Sequence, residues 1–166
     1  MSEALFFKEI DQTLFLKAEG HITAALCGDV RETLYHRLQT KPIPLGFVVD
    51  LHECDYMDST FMGLLVGLNK RCLATIGNKL TIRSPSQECV QLLQNLGVLR
   101  LLNSSTTVSF PPDNDLEMIQ KKSNPTSEII LNAHENLMEL SLDNQKKFST
   151  LQGILKKQIE EEQKAR

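Results

Sequence analysis

Tryptophan is absent from the 166 residues, the four cysteines form no Cys-x-x-Cys pair, and no dense run of Lys or Arg occurs. Each absence excludes a class of function. Cys27, Cys54, Cys72 and Cys89 are scattered through apolar neighbourhoods that suit reduced, packed thiols. His21, His36, His52 and His134 are equally dispersed, so the ligand spacing of a zinc site is missing and no metal is expected. A formal net charge of -3 with no basic cluster offers nothing to hold a phosphate backbone, which argues against direct nucleic-acid contact. No apolar run approaches the roughly 20 residues that span a bilayer. Met1-Ser2-Glu3-Ala4 lacks the basic flank, apolar stretch and cleavage site of a signal peptide. A cytoplasmic protein with no membrane contact is the expectation.

What remains is a chain with 41% hydrophobic and 23% charged residues, long enough for one ordinary domain and an appendage. Ala4 to Ile10 and Thr13 to Ala18 are short apolar segments either side of Asp11-Gln12, which predicts a hairpin of two strands. Ala24, Leu26, Cys27, Val30, Leu34 and Leu38 recur at helical spacing after Thr23, a candidate N-cap, and the helix ends before Pro42. Leu45 to Leu51 is nearly continuous in apolar residues, as in a strand buried on both faces. A polar loop from His52 to Asp58 leads into a second helix marked by Phe61, Leu64, Leu65, Leu68 and Cys72, with Asp58 or Ser59 as its cap. Lys79 to Arg83 predicts a short strand, Val90 to Leu96 a third helix stopped by Gly97, and Thr106 to Phe110 a last strand. The order predicts an α/β fold: a mixed β-sheet of four to five strands with helices packed on it.

Phe47-Val48-Val49-Asp50-Leu51, a loop, and Tyr56-Met57-Asp58-Ser59-Thr60-Phe61-Met62-Gly63-Leu64-Leu65 together resemble the signature of STAS domains, named for sulfate transporters and anti-sigma-factor antagonists. The similarity extends over the predicted element order to about Phe110. The resemblance implies a STAS-like fold and an anti-sigma factor antagonist that is not an enzyme and has no cofactor of its own. It would be controlled by reversible serine phosphorylation, with Ser59 the phosphoacceptor. Its partners would be an anti-sigma factor serine kinase, which brings ATP and Mg²⁺, and a serine phosphatase. Asp58, Ser59, Thr60, Met62 and Thr23 would make the partner contacts. Where many antagonists carry glycine this chain has Phe61, and where they carry an acidic residue after the second strand it has Thr23.

Elementary chemistry favours such a switch, because a serine opening a helix lies beside free backbone N–H groups and the positive end of the helix dipole. A phosphate there adds about -1.5 to -2 charges without unfolding the helix, yet confronts a docking partner with a dianion. A plain capping serine is the bland alternative. The other sharp readings are weaker. Asp50, Asp55 and Asp58 are more readily caps and solvated carboxylates than a Mg²⁺ cluster. A serine hydrolase would need a base within reach and a G-x-S-x-G elbow, which is absent.

Pro111-Pro112-Asp113-Asn114-Asp115 marks a boundary, dividing a domain of residues 1–111 from a C-terminal helical extension of residues 112–166. Ile130, Ala133, Leu137, Leu140, Phe148, Leu151, Leu155 and Ile159 trace an apolar stripe whose phase slips between Leu140 and Phe148. One long helix and a hairpin bent near Ser141-Leu142-Asp143 are both compatible with it. His134 falls on the apolar side as a packed or boundary residue. The stripe would either pack on its own domain or make a homodimer or a helix-mediated partner contact through 126–160. A non-catalytic scaffold, assembling a homo-oligomeric or multi-protein signalling complex through these helices, is the alternative function.

Overall fold

In the computed structural model, which describes residues 2–165, the chain forms seven strands and five α-helices. Strands β1 (Glu3–Ile10) and β2 (Thr13–Ile22) make the expected hairpin. Asp11 and Gln12 both take positive φ, 51° and 66°, the two-residue turn whose twist matches that of the strands it joins. Thr23 caps a 3₁₀ turn that runs into α1 (Cys27–Gln39). Then follow β3 (Gly46–Asp50), β4 (Cys54–Met57), α2 (Ser59–Thr75), β5 (Thr81–Arg83), α3 (Gln87–Asn95) and β6 (Asn103–Ser105).

The sheet runs β6-β5-β3-β2-β1-β7, with β7 (Glu117–Met118) antiparallel to β1. β3 lies parallel to Thr13–Lys17 of β2, and β4 continues the same edge of β2 from Gly20 to Ile22. The mixed α/β sheet is the fold expected, with more strands than the four to five anticipated. Two of the additions are β4, where a polar loop was expected, and β7, in a stretch expected to be helical. β6 falls a few residues before the predicted last strand, Thr106 to Phe110. Pattern reading misses these because strands of two to four residues show too little alternation to stand out, and their neighbours supply the pairing.

Leu5, Leu14, Leu16, Val49, Leu65, Leu68 and Ile82 are fully buried between the sheet and the helices. Lys17 is also buried, and its ammonium meets Asp113 at 2.9 Å, Glu19 at 3.0 Å and Glu53 at 3.5 Å. Burial disfavours its charge, but the hydrogen bonds to Asp113 and Glu19 and the nearby charge of Glu53 outweigh it and hold the pKa above the usual lysine range. Asp113 sits just past the two prolines, so this contact ties the connecting segment to the sheet.

Beyond β7 the chain forms a hairpin of two helices, α4 (Ser127–Met138) and α5 (Leu142–Lys164). Of the two forms compatible with the sequence, the hairpin is the one present. Thr126 caps α4 by accepting from the Ile129 N–H, and Ser141 caps α5 by accepting from the Asn144 N–H at 3.0 Å. The apolar stripe slips because Ser141 restarts the helical register. α4 packs on α2 and α5 packs on α4, which places α2 between α1, the sheet and the hairpin.

Candidate docking site at the start of helix α2

Asp58 precedes α2 and joins three segments. Its backbone N–H donates to the Ile22 carbonyl at 2.9 Å. One carboxylate oxygen accepts from the Phe61 N–H at 2.9 Å and the other from the Ala24 N–H at 2.8 Å. The residue that starts α2 therefore also fixes the turn leading into α1. Thr23 lies on the far side of that link, where its hydroxyl donates to Glu3 and accepts from the Ala25 N–H. Cys27, nearby, is a poor nucleophile: burial first, then the charges of Asp58 and Glu3, push its thiol well above the usual range.

Ser59 is the first residue of α2, half-buried, beside a shallow groove of about 310 Å³ that Asp58, Met62, Leu96, Lys147 and Phe148 also line. Its hydroxyl lies 2.8 Å from Nε2 of His134 on α4. The other ring nitrogen, Nδ1, is 2.8 Å from the Ile130 carbonyl, which can only accept. Nδ1 therefore carries hydrogen, and in the neutral ring the Ser59 hydroxyl donates to Nε2. His134 is 2% exposed and packs edge-on against Phe148, with ring centroids 5.1 Å apart.

The structure thus brings Asp58, Ser59 and Met62 to one groove and connects Thr23 to them through Asp58, while Thr60 and Met62 are buried. Sequence reasoning placed His134 as a packed residue and did not pair it with Ser59. It also missed Asn136, whose amide donates to the Gly63 carbonyl at 3.2 Å, and Asn144, whose amide donates to the Leu96 and Leu137 carbonyls at 2.8 Å each. A signal was present. Met62-Gly63-Leu64-Leu65-Val66-Gly67-Leu68 is apolar all round, and a helix of that kind is buried on every side.

A serine donating to an oriented histidine is one element of a nucleophilic centre. Catalysis also needs open space for a substrate at the oxygen and paired N–H donors aimed at the developing oxyanion. Here the half-buried hydroxyl is taken up by His134 of α4, at the edge of a shallow groove. Among the described residues no group of three or more His, Cys, Asp or Glu side chains is arranged to hold a metal ion. No helix among them is long and apolar enough to cross a membrane.

A strand, a loop and a serine-led helix in this arrangement are matched by the family model for the STAS domain over residues 6–110. The chain belongs to the STAS domain family. Its fold is similar to that of the anti-sigma factor antagonist SpoIIAA in its unphosphorylated form, at 15% identity and a TM-score of 0.53 over 62% of this chain and 89% of that one. A putative anti-sigma factor antagonist of Thermotoga maritima gives 16% identity and the same TM-score of 0.53 over 61% and 86%. RsbS of Moorella thermoacetica gives 16% and a TM-score of 0.51 over 61% and 86%. No curated protein matches the chain by sequence. At these identities the neighbours establish the fold, and the family model ends at residue 110, before the C-terminal hairpin begins.

Proposed function

We propose that this STAS protein is a non-catalytic, cytoplasmic regulator of the anti-sigma factor antagonist type, with Ser59 as a reversible phosphorylation switch. The observation that carries the reading is the position of Ser59: first residue of α2, directly after a capping aspartate whose two oxygens are both occupied, at the edge of a groove on the surface. Asp58 holds the helix start in place, so a phosphate on Ser59 changes the surface and leaves the fold intact. Similarity of the fold to SpoIIAA, solved in both phosphorylated and unphosphorylated forms, supports the same reading. The partner is a serine kinase or a related anti-sigma regulator that meets the surface around Thr23, Asp58, Ser59, Thr60 and Met62, and a serine phosphatase restores the unmodified state. On this reading residues 1–111 are the switch domain and residues 112–166 an extension appended to it.

Affinity capture from the native cells tests the partner directly. The wild-type protein is expected to retain an ATP-binding serine kinase that a Ser59→Asp variant loses, because the added charge opposes docking. Equal retention by both proteins would contradict the switch. A scaffold assembled through the C-terminal helices is less well supported: Leu137, Phe148 and Leu155 of that segment are buried within the chain itself.

A further inference from the structure

The hairpin sits on the surface where the switch must act. α4 crosses α2 at Gly63, and the approach is so close that a Cβ on Gly63 would lie 2.1 Å from the Ala133 carbonyl oxygen. One turn further on, a Cβ on Gly67 would lie 2.9 Å from the Asn136 amide nitrogen. Ser59 then lies under His134, with Asn136 hydrogen-bonded to the Gly63 carbonyl and Lys70 to the Asn136 side chain. Every polar contact across this crossing joins the switch helix to the extension.

We infer that the α4–α5 hairpin is an intramolecular occupant of the docking surface on α2, and that it must leave before a partner helix or a kinase can reach Ser59. The inference rests on Ser59 being the switch. Phosphorylation transfers the γ-phosphoryl group of ATP to the Ser59 oxygen, ADP leaves, and the hydroxyl proton passes to a base of the kinase. In this structure the half-buried Ser59 hydroxyl is hydrogen-bonded to His134 of α4, so that bond must break and the hairpin must move aside before a kinase active site can close on the oxygen. The composition of the crossing suits a reversible cover. It sets buried polar side chains, His134, Asn136 and Asn144, each with its hydrogen-bond partner, beside the buried apolar Leu137 and Phe148. The polar contacts fix one register of the hairpin on α2, and each of these groups can exchange its partner for water when the hairpin lifts. The competing partner is a protein presenting an amphipathic helix whose backbone approaches Gly63 as closely as that of Ala133 does.

Two substitutions open the crossing from opposite sides: Gly63→Ala on α2 and Ala133→Glu on α4, the second leaving the whole kinase-facing surface unaltered. Full-length wild type and both variants are dephosphorylated, then followed by amide hydrogen exchange and by incorporation of labelled phosphate from ATP in an extract of the native cells. In the variants, amides of residues 127–164 are expected to exchange about tenfold faster while β1 to β3 keep wild-type protection. Phosphate is expected to enter Ser59 about tenfold faster, in proportion to the open fraction. Unchanged protection of residues 127–164 in both variants would overturn the inference. So would a released hairpin with a wild-type phosphorylation rate, which would leave Ser59 as an ungated switch. No label at Ser59 in any of the three proteins would instead overturn the switch itself.

Discussion

Asp58 is the residue on which the site's geometry depends most. Its carboxylate accepts from Phe61 at the start of α2 and from Ala24 at the entry to α1, so Asp58→Ala removes a helix cap and leaves a second N–H without its acceptor. A loss of about 2 kcal/mol in unfolding free energy is expected by urea denaturation, at the upper end for a single cap because two segments are affected. Ser59→Ala removes only a hydroxyl from the edge of that arrangement and is expected to cost less. Glu9 shows how pH enters. Its hydrogen bond to Arg37, against a smaller opposing effect of burial and aided by the Arg37 charge, lowers its pKa below the usual glutamate value. The folded-state pKa is depressed, so this pair stabilises the protein above the unfolded value of about 4.3 and the contribution is lost as pH falls through the folded value. A Glu9→Gln variant is therefore expected to show a shallower loss of stability on acidification below about pH 4. An acid limb identical to wild type would count against the pairing.

Among the elements, α2 receives the packing of the C-terminal hairpin. Every residue from Thr60 to Asn69 is buried, which the sheet and α1 alone would not achieve. α5 is 23 residues long, yet Asn144, Phe148 and Leu155 are its only buried residues. Leu137 of α4 is fully buried, and truncating such a side chain to alanine costs about 2–5 kcal/mol when the surrounding structure unfolds as one unit. If the hairpin opens separately, Leu137→Ala lowers the hairpin's stability and leaves the sheet's nearly unchanged, whereas Leu16→Ala lowers both. Hydrogen exchange resolved along the chain distinguishes the two. The elements legible in the sequence were those with strong local signals: the β1–β2 turn at Asp11-Gln12, the caps at Thr23 and Asp58, and the stop at Gly97, where φ is +76°. Strands β4 and β7 were not legible, since each exists only through pairing with β2 or β1. The position of Ser59 at the start of a helix was legible from the sequence around it. Its partner His134 was not, because 75 residues separate them and the contact depends on a hairpin whose fold the stripe alone left undecided.

At the scale of the whole molecule, the extension is bound to the domain at its start and again through α4. Asp113 pairs with the buried Lys17, β7 adds to the edge of the sheet beside β1, and α4 lies over α2. The apolar stripe that suggested dimerisation is largely spent within the chain. Leu142 and Ile154 are the large hydrophobic side chains of α5 left exposed, too few and too separated for a stable interface. Sedimentation or light scattering is accordingly expected to give a monomer, and a large homo-oligomer would favour the scaffold. The central claim, that Ser59 is a phosphorylation switch, is tested most directly by intact-mass analysis of the protein purified from its native cells beside a Ser59→Ala variant. A single added phosphate on the wild type that vanishes in the variant is the expected result. A wild-type protein that carries no phosphate under any growth condition, or a phosphate that persists after Ser59→Ala, would contradict it.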